Sequence, residues 1–187
     1  MILTKPDIDR ERTLIDEAKQ DPAAFRPLYE QYFKLVFLFV LRRTNDKDLA
    51  SDITSQIFLK ALQGIGRYNH QGIPFSAWLY RIAINEVNLF FRKQKRDRFV
   101  SIDTDQLINL HEELTKDLSI DHLQNLLPEM LQKLDLNELQ LIELRFFEQL
   151  SFKEIAKIFG ITEVHAKVKV YRILDKLRKY FKNEKQN

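Results

Sequence analysis

Apolar residues recur every three to four positions through most of this chain, in blocks separated by short polar turns. Nowhere does a long run alternate apolar with polar, so the pattern predicts helices and no sheet. Residues 8–20 form the first helix, which Pro22 breaks. Asp21 is placed to cap a second helix that starts near Ala23 and carries Phe25, Leu28, Tyr29, Tyr32, Phe33, Val36 and Phe37 as one stripe to about Arg43. Asn45, Asp46 and Asp48 make a turn and a cap for a third helix over residues 47–65, with Leu49, Ile53, Ile57, Phe58, Ala61 and Leu62 apolar. Gly64, Gly66 and Gly72 surround Tyr68, Asn69 and His70, the main loop of this half. Pro74 and Ser76 then open a fourth helix, from Phe75 to about Arg98. Later in the chain the pattern places helices at about 128–134, 137–148, 152–159 and 163–181.

Between the halves the character changes. Asp103, Asp105, Glu112, Glu113, Asp117 and Asp121 stand against Lys116 alone, and apolar residues are sparse. The expected architecture is all-α: two small helical domains, residues 8–100 and 126–183, joined by an acidic linker over 101–125.

The second domain carries the most specific local signal. Ser151 followed by Glu154 is a capping box, Ala156 is small where another helix crosses, and Gly160 and Thr162 end one helix and cap the next. These offsets describe a helix-turn-helix whose second helix enters a DNA groove. On that helix Ala166, Val170, Ile173, Leu174 and Leu177 share one side. His165, Lys169, Arg172 and Lys176 share another, a cationic row suited to phosphates, with base edges in reach of its N-terminal members. An ordinary solvated face would look the same; the capping box, Ala156, Gly160 and Thr162 at fixed offsets favour DNA binding.

The fourth helix has two apolar stripes. Phe75, Trp78, Leu79, Ile82, Leu89 and Phe90 make one, and Tyr80, Ile84, Val87 and Phe91 lie nearly opposite. A surface helix needs one such stripe, so the other is covered either within the domain or by a partner. Arg92, Lys93, Lys95, Arg96 and Arg98 follow, more cations than a helix dipole requires. Two basic elements flanking an acidic spacer suggest two contacts on one nucleic acid.

Composition narrows the classes further. The 187 residues are 44% hydrophobic and 30% charged, enough for packed cores. A net charge of +3 makes its distribution more telling than its total. With no cysteine there is no disulfide framework or thiolate metal site, and His70, His111, His122 and His165 lack ligand spacing, so neither a metal nor another cofactor is expected. The most apolar run, residues 35–41, is far short of a membrane span, and the N-terminus turns polar too soon for a signal peptide. A cytoplasmic protein with no membrane insertion is expected. No phosphate loop, nucleophile elbow or metal constellation is present, so the chain does not read as an enzyme.

Phe75, Trp78, Leu79, Tyr80, Arg81, Ile82, Ala83 and Asn85, followed by a basic run, resemble region 2 of the bacterial sigma factors of RNA polymerase. Leu150, Ser151, Glu154, Ile155, Ala156, Gly160, Ile161 and Thr162 resemble their region 4, and the size and linker are similar to the small extracytoplasmic-function (ECF) type. The resemblance implies a sigma factor that binds the polymerase core at clamp and flap and directs promoter recognition and transcription initiation. Its implied clamp-binding residues are Asp48, Asp52, Gln56 and Leu59, with Gln56 where the family usually has an acid. Tyr68, Asn69, His70, Phe75, Arg81, Asn85, Asn88, Arg92, Lys93, Lys95 and Arg96 would meet the −10 element, with a base extruded into the loop. Tyr68 and Phe75 are the expected stacking platforms, while Trp78 falls on the core stripe. His165, Lys169, Arg172 and Lys176 would meet the −35 element. The resemblance also implies an anti-sigma partner. The competing readings are a helix-turn-helix regulator that binds duplex DNA without acting as a polymerase subunit, and a regulatory interaction protein.

Overall fold

The computed structural model describes residues 8–94, 110, 113–114 and 120–184, and among these there are only helices and turns. The chain separates into two compact units, residues 1–100 and 101–187.

In the first unit, α1 spans Ile8–Gln20 and ends in a tight 3-10 turn, Pro22–Phe25. Asp21 caps that turn by accepting from the Ala23 N–H at 2.9 Å, so the capped element is this turn, and α2 proper starts one step later, Arg26–Thr44. Asn45 in the left-handed region (φ 50°) closes α2, and the Asp46 carboxylate accepts from the N–H groups of Asp48 and Leu49 to open α3, Lys47–Gly64. α4 runs Phe75–Gln94.

These four helices share one aromatic and aliphatic core. Leu28, Val36, Ile57, Phe75, Leu79 and Tyr80 are fully enclosed, and Phe25 meets Phe58 and Phe75 edge-on at 6.4 and 6.5 Å. On α4 the second stripe is covered from within: Tyr80, Ile84 and Val87 are buried, with Tyr80 edge-on to Phe39 at 5.1 Å. Most of the second stripe is therefore covered by packing inside the unit, with Phe91 half-buried. Lys60 and Glu86, 2.6 Å apart, tie α3 to α4 at the surface.

In the second unit, α5 spans Ile120–Gln132 and α6 Leu136–Ile142, the latter closed by a single π turn, Glu143–Phe147. α7 spans Phe152–Phe159 and α8 Glu163–Glu184. Pro128 lies inside α5 and does not open it; Leu127, Met130 and Leu131 around it are buried, and this packing outweighs the lost backbone bond. The acidic stretch also differs from a simple spacer. Leu110 and Leu114 are buried, and Arg178 on α8 donates to the carbonyls of Glu113 at 2.6 Å and Leu114 at 3.1 Å. Two leucines four residues apart and one arginine draw that part of the stretch into the second unit.

The capping box appears as the spacing predicts. The Glu154 N–H donates to Ser151 Oγ at 3.3 Å, and the Ser151 N–H donates to Glu154 at 2.7 Å. α6 opens on a second box, Asp135 with Glu138. No described helix is long and apolar enough to cross a membrane.

Gly160 adopts φ +66° with open space around its Cα, so its cost on substitution is purely conformational. Gly160→Ala is expected to lower stability by about 1 kcal/mol or more, read by denaturant unfolding. Gly66→Ala, with ordinary φ and equally open surroundings, is expected to change it by less than about 0.5 kcal/mol.

Candidate nucleic-acid interface

α8 is held along one side. Ala166, Val170, Ile173, Leu174, Leu177 and Phe181 are buried, and the Thr162 hydroxyl accepts from the His165 N–H at 3.2 Å to fix the first turn. The Gly160 turn lets the Ile161 N–H reach back to the Ala156 carbonyl at 3.0 Å, which sets the angle between α7 and α8. The N-terminal half of α8 therefore stands clear, with Val164, His165, Val168, Lys169, Tyr171 and Arg172 exposed.

The four cations of the expected row are not equivalent. His165, Lys169 and Arg172 are exposed, whereas Lys176 pairs with Glu138 of α6 at 2.7 Å, and that carboxylate raises the lysine's pKa. Lys176 is thus engaged in tying α8 to α6. Moreover, His165 and Lys169 lie to one side of the exposed face, and Arg172 stands nearer its centre. At 100° per residue, Val168 lies within about 10° of the point opposite the buried stripe, with Val164 and Arg172 within about 50° on either side. Val164 is 73% exposed and Val168 40%. Reading the charged residues alone hid this; an angular count from the buried stripe would have found it.

In the first unit, the loop between α3 and α4 begins with a short 3-10 turn, Ile65–Arg67. Tyr68 lies against Trp78 at 4.8 Å and edge-on to Phe75 at 5.3 Å, and Gly64 has no side chain to hold the indole off. A Cβ at Gly64 would meet that ring at 3.3 Å. The expected platforms are reordered. Phe75 is 0% exposed, because as the first residue of α4 it points inward among Phe25, Tyr32 and Tyr68. Trp78, expected in the core, is only half-buried and shares the loop surface with Tyr68. Asn69 is exposed and His70 half-buried, its Nδ1 accepting from the Gly72 N–H at 3.3 Å.

Along α4, Arg81, Asn85, Arg92 and Lys93 are exposed and Asn88 half-buried; Lys95, Arg96 and Arg98 lie outside the described residues. On α3, Asp48, Asp52, Gln56 and Leu59 are all exposed along one face.

One buried carboxylate was not foreseen. Glu11 of α1 is 2% exposed, yet its carboxylate accepts from the Tyr32 hydroxyl and, at 2.8 Å, from the Phe75 N–H. It caps α4 from another helix, satisfying an N–H that has no partner inside its own helix. No local pattern marks a cap supplied across 64 residues. Burial pushes the Glu11 pKa up, against the hydrogen bonds from Tyr32 and Phe75 and the nearby His70, which pull it down. Burial, reinforced by Glu11, also pushes the Tyr68 hydroxyl up to about 12, keeping it neutral beside the loop.

A carboxyl that holds its proton more tightly when folded makes stability fall as pH rises through the range above its ordinary 4.5. The stability of the native chain minus that of Glu11→Gln is therefore expected to decline as pH rises above about 4.5. Urea unfolding of both proteins across that range checks this; a pH-independent difference would contradict it.

Residues 28–97 match the family model described as Sigma-70 region 2, and residues 130–179 the one described as Sigma-70, region 4. The chain is 32% identical over 171 residues to the ECF RNA polymerase sigma factor BldN of Streptomyces coelicolor, covering 89% of this chain and 64% of BldN. It thus spans somewhat less than two-thirds of that relative's length. Its fold is similar to CnrH, solved in complex with the cytosolic domain of CnrY, with a TM-score of 0.62, 18% identity, and 92% and 97% of the two chains covered. It is similar also to the sigma factor RpoE of Bartonella quintana, solved with the anti-sigma factor NepR, with a TM-score of 0.58, 21% identity, and 84% and 96% covered.

Proposed function

This chain belongs to the sigma-70 family of RNA polymerase sigma factors, in its ECF branch, and from that premise we propose that it binds the polymerase core and directs promoter recognition and transcription initiation. The first unit engages the −10 element and the second the −35 element. The observation that carries this reading is the pairing, in one chain and in order, of a region 2 match and a region 4 match on two compact units. A helix-turn-helix regulator would leave the match over residues 28–97 without a purpose.

The division of labour follows the chemistry of each surface. The exposed α3 face bearing Asp48, Asp52, Gln56 and Leu59 meets the polymerase clamp, and the second unit the flap. The loop with Tyr68, Asn69, His70 and Trp78 meets a base leaving the stack, since a base edge can be read there only after extrusion. Arg81, Asn85, Arg92 and Lys93 follow the strand backbone, where cations and amides position without reading sequence. Glu11 sits behind that loop as a positioning residue. At α8, His165, Lys169 and Arg172 meet the upstream duplex. The chain acts as an initiation factor in the cytoplasm and performs no chemistry of its own. Its regulator is an anti-sigma protein, by likeness to RpoE, which was solved with one.

Reconstitution with purified core polymerase on genomic DNA fragments tests this reading. Discrete start sites that need both components are expected, with weak duplex binding by the chain alone. Tight duplex binding by the free chain, with no capture by core, would overturn it. In the same assay Arg172→Ala and Lys169→Ala are each expected to lower −35-dependent transcription, Arg172→Ala on the order of tenfold. Capture by core should persist in both variants.

A further inference from the structure

Val168 occupies the most outward line of the N-terminal half of α8, with Arg172 and Val164 on either side of it, a place where an isolated helix would be expected to carry charge throughout. Val164 and Val168 are exposed, one turn apart, and are followed on the same face by Arg172. They are not covered by their own unit, whose core lies on the opposite side of α8. His165, Lys169 and Arg172 border them on one flank, so any surface that seats on the valines meets a row of cations as well. That combination fits the floor and walls of a DNA major groove: phosphates line the walls, and the one apolar group on the base edges is the thymine 5-methyl.

We propose that Val164 and Val168 read thymine methyl groups in the upstream promoter element, and so set part of its sequence. The proposal rests on the promoter-binding reading above. Four residues of helix rise are about 6 Å, close to two base steps of 3.4 Å, so the pair can address methyls on nearby base pairs. Lys and Arg on the flank add affinity for any sequence, whereas a valine side chain distinguishes thymine from a base that shows no methyl there. The cationic row then orients the helix, and the apolar pair supplies discrimination.

The test uses holoenzyme reconstituted from core polymerase and the full chain. Promoter duplexes carrying a randomised −35 segment are selected for open-complex formation, and the winners are rebuilt with deoxyuridine replacing each thymine of that segment. Thymine is expected to be enriched at one or two positions, with loss of its methyl weakening the complex about fourfold, the scale set by burying one such group. Val168→Ala and Val164→Ala, both on an exposed helical face and compatible with helix, should each abolish the thymine–uracil difference at one position. Equal binding of thymine and uracil templates by the native holoenzyme overturns the proposal while leaving promoter binding intact. So do valine variants that keep the methyl effect but lose capture by core, an outcome that assigns this face to a protein partner. Failure of every template to open would instead sink the promoter-binding reading itself, and the proposal with it.

Discussion

A helix can present one face to a groove only if its opposite face is fixed, and the anchoring of α8 is the constraint from which the second unit's chemistry follows. Ala166, Val170, Ile173, Leu174, Leu177 and Phe181 hold it, and each also decides by exclusion which residues look outward. The small side chain of Ala166 and the left-handed turn at Gly160 bring α8 close against its neighbour. Lys176 with Glu138, and Arg178 with the carbonyls of Glu113 and Leu114, fasten the C-terminal half. The outward face of the first three turns stays open. Their rotation, set by the buried stripe, points Val168 and Arg172 away from the protein.

The first unit solves a similar problem by different means. On the proposed function the loop between α3 and α4 receives an extruded base, which needs the loop backbone fixed, since displaced donors read a base poorly. Here the fixing group is a buried carboxylate from α1. Glu11 joins α1, α2 and the first turn of α4 through Tyr32 and Phe75, and Phe75 in turn backs Tyr68. An ionisable group in so enclosed a place is costly and is tolerated because hydrogen bonds meet it. Both units thus fix their exposed residues by anchoring the element behind them, and on the proposed function those residues meet DNA.

Much of this was legible in the sequence. The boundaries of α1 and α3, the Ser151–Glu154 box and the Gly160 turn rest on interactions between residues within four positions of each other, which sequence spacing displays directly. The interactions that escaped are long-range. Glu11 reaches Phe75, Arg178 reaches Leu114, and Lys176 reaches Glu138, and no periodicity encodes such pairs. Phe75 and Trp78 exchanged their expected exposures because both sit on one stripe of α4, and only the position of α1 and the loop decides which is covered. The valines escaped for a further reason: the charged row marks one side of the exposed face, while Val168 at its centre carries no charge.

Placement of photo-reactive side chains at Asn69 and at Arg172, in holoenzyme on promoter DNA, tests the central claim most directly. The account predicts that the first cross-links to a melted strand near the start site, the second to duplex upstream, and both only with core present. Cross-linking of both positions to one intact duplex without polymerase would contradict it.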